Sequence, residues 1–184
     1  MTVACVVLDI GGVLEITPQT GWARRWEERL ELPPGAVHER MRDVWQAGRV
    51  GGIGEREVHE QVAARLKLDG PGVAAFMADL WAEYLGTPNE ELLAHVRGLR
   101  GSCRLGILSN SFVGARERES RRYHFDELVE QIVYSHEIGV LKPDARAFEA
   151  ARATGMRAHL FGDNASTIAR ITEHLGPGRP LLGR

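Results

Sequence analysis

Apolar residues come in two textures along this chain. Residues 3–8 (Val-Ala-Cys-Val-Val-Leu) run almost without interruption and stop at Asp9, with Gly11 and Gly12 close behind. A short apolar run closed by glycines suits a strand buried on both faces, as in a parallel sheet. From about residue 15 to residue 85 the spacing turns helical. Trp22, Trp26 and Leu30 recur every fourth position until Pro33-Pro34 breaks the pattern. Val37, Met41, Val44 and Trp45 define a second face, and Val58, Val62 and Leu66 a third. Val73, Phe76, Met77, Leu80, Trp81 and Tyr84 define a fourth. The glycine-rich residues 48–54 read as a flexible turn, and all four tryptophans fall within this helical stretch. Thr87-Pro88-Asn89-Glu90 then predicts a helix start, with Thr87 as cap, Pro88 in the first turn and Glu90 closing a capping box. Its buried face would be Leu92, Leu93, Val96 and Leu99. Beyond it, strand-like segments (103–108, 132–134, 158–161) alternate with helical ones. The helices are expected over 112–122, over 144–154 with Asp144 as cap, and through Ile168, Ile171 and Leu175.

A strand, a helical insert and then alternating strands and helices predict an α/β protein. The expected architecture is a Rossmann-like, three-layer α/β/α parallel sheet carrying an inserted small four-helix cap. Residues 1–14 and 86–184 would form the core and residues 15–85 the cap. A length of 184 residues, 43% of them hydrophobic and 26% charged, fits one globular domain with an insertion. A net charge of -2 provides no field that would gather nucleic acid or an anionic membrane. The run at residues 3–8 is far shorter than the roughly 20 apolar residues of a membrane span, and no basic leader precedes it. Cys5 and Cys103 cannot build a disulfide scaffold and read as buried free thiols. These features lead us to expect a cytoplasmic protein with no nucleic-acid or membrane partner; they say nothing of protein partners.

In a parallel α/β sheet, function gathers at the carboxyl ends of the strands. Asp9, Ser109-Asn110 and Asp163-Asn164 lie at predicted strand ends, and residues 139–144 (Gly-Val-Leu-Lys-Pro-Asp) follow another. Lys142 is one of only two lysines, the other being Lys67, in a chain whose positive charge is otherwise arginine. Two carboxylates, a hydroxyl, an amide and an ammonium could together hold a phosphate and a divalent cation. Each has a bland reading: Asp9 and Asp163 as helix caps, Ser109-Asn110 as a turn, Lys142 as a surface charge. His136 and His159 read as structural, Glu15 as a solvated residue after the first strand, and the mixed charges around Glu117 and Glu119 as a solvated helix face.

Four motifs in order tip the balance. They are Asp9-Ile10-Gly11-Gly12-Val13-Leu14, then Ile107-Leu108-Ser109-Asn110, then residues 135–148 around Lys142-Pro143-Asp144, and Leu160-Phe161-Gly162-Asp163-Asn164. With this set the chain resembles the haloacid dehalogenase-like hydrolases, most of which are phosphatases. The resemblance implies that Asp9 attacks phosphorus and forms an aspartyl-phosphate, splitting hydrolysis into two displacements. It implies Mg²⁺ held by Asp9, the carbonyl of Gly11 and Asp163, a hard-oxygen set suited to that ion. Lys142 would neutralise nucleophile and phosphate, with Pro143 turning it away from the following helix. Ser109 and backbone N–H groups around Gly11, Gly12 and Asn110 would bind phosphoryl oxygens. The substrate would be a small phosphorylated metabolite.

Two positions depart from that pattern. Gly11 stands where the family usually carries a second aspartate as general acid, a function worth about 10²–10⁴ in rate. Three readings follow: an easily expelled leaving group, as in sugar-phosphate relatives that also carry glycine there; another acid, Glu15 or His136; or a binding protein that has lost catalysis. Thr167 replaces an acidic residue that often braces the metal or the lysine. Retention of Asp163 argues against the metal-independent dehalogenase branch.

Overall fold

The computed structural model describes residues 5–143 and 162–175. Strands β1 (Cys5–Leu8), β4 (Arg104–Ser109) and β5 (Gln131–Tyr134) form a parallel three-stranded sheet in the order β1-β4-β5. Leu105, Gly106 and Ile107 of β4 are all buried, so both faces of the strand are covered. A second ribbon, antiparallel, pairs β2 (Glu15–Ile16) with β3 (Thr87–Pro88). It joins the chain where it leaves the sheet to where it returns.

Between those two short strands lie α1 (Trp22–Arg29), α2 (Ala36–Arg49), α3 (Glu55–Leu66) and α4 (Gly70–Leu85). Their faces follow the sequence periodicity and converge on one core holding Trp22, Trp26, Met41, Val58, Val62, Phe76 and Trp81. Phe76 is fully buried, with Trp22, Trp26 and Trp45 packed around it at ring-centroid distances of 5.1, 5.3 and 6.5 Å. Phe112 and Ala115, from the segment after β4, belong to the same cluster, so these helices and the sheet region share packing.

A separate core lies on the sheet. It combines Leu8, Leu105, Ile107 and Tyr134 with Leu92, Leu93, Val96 and Leu99 around α5 (Glu90–Gly98). Ile168, Ile171 and Leu175 of α9 (Asn164–Leu175) pack against it, together with Tyr123 of α6 (Ala115–Tyr123) and Phe125 of α7 (Phe125–Leu128). The short α8 (Ser135–Ile138) follows β5 directly.

Several local expectations are corrected. Asn89, not Thr87, caps α5, its side-chain oxygen accepting from Leu92 N at 3.4 Å, while Thr87 and Pro88 are taken up in β3. Asn serves as well as Thr at an N-cap, so pairing across the ribbon decides the choice. The helix expected over 112–122 begins at Ala115, behind Gly114 in the left-handed region. Residues 48–54 are a docking turn rather than a loose one. Val113 N donates to Gly48 O at 3.1 Å, and Ser135 Oγ donates to Arg49 O at 2.8 Å. Gly51 has φ +67°, and a Cβ there would strike the His136 carbonyl, so only glycine allows this approach. Cys5 and Cys103 are not joined in a disulfide and are only half-buried, and burial pushes the Cys5 thiol up. The helix expected over 144–154, its cap Asp144 and the strand over 158–161 lie outside the described residues.

Candidate active site

The carboxyl ends of β1, β4 and β5 point the same way, and the loops leaving them meet. Asp9 follows the last residue of β1. Its Oδ1 accepts from Ile10 N at 2.9 Å and its Oδ2 lies 2.6 Å from Lys142 Nζ. With both oxygens engaged, the carboxylate has one orientation. The Asp9 side chain keeps 40% of its surface exposed and Lys142 only 17%, so the carboxylate is reachable while the ammonium is shielded behind it.

Lys142 is held at three points. Its Nζ donates to Leu108 O at 2.7 Å, at the end of β4. Its backbone N donates to Asn110 Oδ1 at 2.7 Å, and its carbonyl accepts from Asn110 Nδ2 at 2.9 Å. Asn110 therefore clamps both backbone groups of Lys142 with its side chain. That arrangement gives its amide a task other than the phosphate binding expected for the Ser109-Asn110 motif. The Lys142-Pro143 bond is cis, and Pro143 is exposed.

The other expected residues differ in their settings. Gly11 and Gly12 are exposed immediately after Asp9, Gly12 with φ +72°. Among the described residues nothing lies within 4 Å of where a Gly11 Cβ would be. Ser109 ends β4 and is buried. Asp163 sits just before α9, where its Oδ1 accepts from Ser166 N at 2.8 Å; that N–H holds the exposed carboxyl below its usual range and keeps it ionised. Asn164 is tied to Asn89, and Asn89 to the loop after β1 through Val13 O at 2.8 Å. Thr167 does no more than continue the helix, its N–H bonding Asp163 O.

Of the two alternative acids, Glu15 departs from its expected setting and His136 keeps a structural one. Glu15 is not solvated: it is 1% exposed, its Oε2 accepts from Thr17 Oγ1 at 2.7 Å, and its Oε1 has no hydrogen-bond partner among the described residues. Its carboxyl faces Gly86, whose Cβ would collide with it, and burial raises its pKa. His136 is structural. Its Nδ1 lies 2.6 Å from Ser111 Oγ, its ring packs against Tyr134, and burial keeps it neutral to lower pH than usual.

One carboxyl expected on a solvated helix face is instead buried. Glu119 of α6 is 2% exposed and accepts from Tyr134 Oη at 2.7 Å. Tyr84, at the end of α4, also bonds to it, so one carboxyl joins a phenol of the helical segment to a phenol of the sheet. Burial pushes Glu119 up to about 7, with the Glu15 and Asp9 charges adding to the shift. Burial also raises both phenols, which remain donors. Its only sequence signal is a single acid at the i+4 position from Ala115 on the inward face of α6.

The donor chemistry fits Mg²⁺: an accessible carboxylate at Asp9, an exposed backbone at Gly11 and an ionised carboxylate at Asp163. That ion takes few protein oxygens and keeps waters.

No protein-family model and no curated protein sequence matches the chain. Solved structures do. A predicted HAD-like family hydrolase from Porphyromonas gingivalis aligns with TM-score 0.65 and 20% identity, over 85% of this chain and 78% of that one. A HAD family enzyme from Bacteroides thetaiotaomicron, in complex with magnesium and inorganic phosphate, aligns with TM-score 0.58 and 16% identity, over 83% and 79%. A 2-haloacid dehalogenase from Pseudomonas syringae aligns with TM-score 0.56 and 16% identity, over 86% and 75%. The parallel sheet and the inserted helices thus have the fold of the haloacid dehalogenase-like hydrolases.

Proposed function

We propose that the protein is a Mg²⁺-dependent phosphatase of the haloacid dehalogenase-like superfamily, acting on a small phosphorylated metabolite whose leaving group departs with little protonation. The observation that carries this reading is the Asp9–Lys142 pair, held 2.6 Å apart with the carboxylate exposed and the ammonium fixed behind it. Asp9 attacks phosphorus and the leaving oxygen departs with the P–O bond electrons. Water then attacks the aspartyl-phosphate, releasing inorganic phosphate and restoring the carboxylate. Lys142 offsets the repulsion between a carboxylate and a phosphate dianion, and Asn110 keeps its backbone in register for that task. Asp9, Gly11 O and Asp163 would hold Mg²⁺, which supplies further positive charge when bound. Backbone N–H groups after Asp9 and β4, with Ser109, are the proposed phosphoryl donors. The four-helix segment acts as a cap that covers the site and selects the substrate.

Gly11 decides the substrate class. Glu15 points into the protein and His136 into Ser111, so neither replaces the missing acid. A substrate with a stabilised leaving group, such as a sugar phosphate esterified at its anomeric oxygen, suits such a site better than a primary alkyl phosphate. Turnover of aryl and anomeric sugar phosphates is expected to exceed that of simple alkyl phosphates by about 10²–10⁴, the usual worth of a general acid. Equal rates across leaving groups would point to an acid supplied elsewhere. No turnover on any phosphoester would favour a binding protein, and halide release from 2-haloacids would favour a dehalogenase.

A further inference from the structure

Asn89 and Asn164 are far apart in sequence and interlock through both amides. Asn89 Nδ2 donates to Asn164 Oδ1 at 2.8 Å, and Asn164 Nδ2 donates back to Asn89 Oδ1 at 2.9 Å. The remaining valences fix the orientation of each amide. Asn89 Nδ2 also donates to Val13 O at 2.8 Å, its Oδ1 also accepts from Leu92 N, and its own N–H donates to Leu14 O at 2.9 Å. Asn164 Nδ2 also donates to Glu91 Oε2 at 2.7 Å. A carbonyl and a carboxylate accept only and a backbone N–H donates only, so neither amide can flip without losing partners. Asn89 is 6% exposed and has all its polar atoms satisfied.

We infer that Asn89 is a positioning residue, fastening the turn that carries Asp163 to the loop that follows Asp9. This inference rests on the phosphatase reading, in which those two carboxylates hold one cation. They arrive from opposite ends of the chain, and among the described residues the paired amides tie their two loops directly. Partners that orient metal ligands in this way change cation affinity by about 10–100-fold when removed.

The variants Asn89→Ser and Asn164→Ala separate this role from helix capping. Serine still caps a helix but cannot reach Val13 or Asn164, so Asn89→Ser keeps the start of α5 and loses the tie. Binding of Mn²⁺, read from the free-ion electron paramagnetic resonance signal, is expected to weaken at least about 10-fold in each single variant. The double variant is expected to be no weaker than the worse single, because both remove one connection. Unchanged Mn²⁺ affinity in both singles, accompanied only by a lower melting temperature, would overturn the inference and leave Asn89 as a cap. Fully additive losses would overturn it too. If the parent protein binds no Mn²⁺ and turns over no aryl phosphate, the phosphatase reading fails first and takes this tie with it. Should Asn89→Ser not fold, Asn164→Ala at the half-exposed start of α9 carries the test alone.

Discussion

The helical segment and the strand-end site are built on opposite principles. In the segment, Phe76 is ringed by Trp22, Trp26 and Trp45, and the core they form is held by area and ring packing. Such forces have little direction, and many side chains share the load. At the strand ends, Asp9, Lys142 and Asn110 are held by five short contacts, each with a named donor and acceptor. Moving any one would turn a side chain away from the others. The first region sets stability and tolerates rearrangement; the second sets geometry and tolerates very little.

The largest expected effect lies in the site. Asp9→Asn removes the proposed nucleophile while keeping its shape, and aryl-phosphate turnover should fall by about 10⁴-fold or more, with little change in melting temperature. A fall in stability without loss of turnover would erase the distinction between the two regions. Next comes Phe76→Ala, which should cost about 3–5 kcal/mol in urea unfolding, because the surrounding tryptophans cannot collapse into the space. A cost below about 1 kcal/mol would mean the aromatic cluster is not the core of the segment.

Glu119 belongs to neither description, since it is a directional contact placed inside a packed interface. Its pKa rises from an ordinary 4.5 to about 7 in the folded protein, so the folded state holds this proton more tightly than the unfolded chain. Stability should therefore fall as pH climbs from about 4.5 to about 7, with the loss complete above that range. Its full size is about 3 kcal/mol, from 1.36 kcal/mol per unit. Glu119→Gln should accordingly unfold later than the parent at pH 8 and give no such gain at pH 5. An equal effect at both values would assign the change to packing instead. The smallest effect is expected at Asp43, whose carboxyl sits at about 2 beside the Arg65 guanidinium on the open surface. Solvent screens such a pair, and Asp43→Asn should leave the melting temperature almost unmoved.

The two regions were not equally legible in the sequence. The segment's faces followed directly from spacing, because burial in an amphipathic helix depends on which residues are apolar and little else. Asp9 and Lys142 were legible as chemistry at strand ends, since the parallel sheet brings those ends together. What sequence could not supply was the inward turn of polar groups. Glu15 and Glu119 are charged residue types whose burial depends on phenols and a glycine contributed from distant positions. Asn110 looked like a ligand-binding amide and is a clamp, because its partner lies in a loop that no local pattern ties to it. Residues 48–54 looked loose for the same reason: glycine signals freedom along the chain, while here it permits close contact with His136. Thr87 was expected as the cap, but the β2–β3 ribbon takes it and Asn89 caps α5 instead.

Asp9 is proposed to accept a phosphoryl group beside Lys142 and a cation. A crystal structure of the protein with Mg²⁺ and beryllium fluoride tests it most directly, since trifluoroberyllate mimics a phosphoryl group on a carboxylate. The account requires beryllium bonded to Asp9, Lys142 Nζ against a fluoride, and one cation shared by Asp9 and Asp163. A bare Asp9 still paired with Lys142, with the fluoride complex elsewhere or the cation away from both acids, would contradict it.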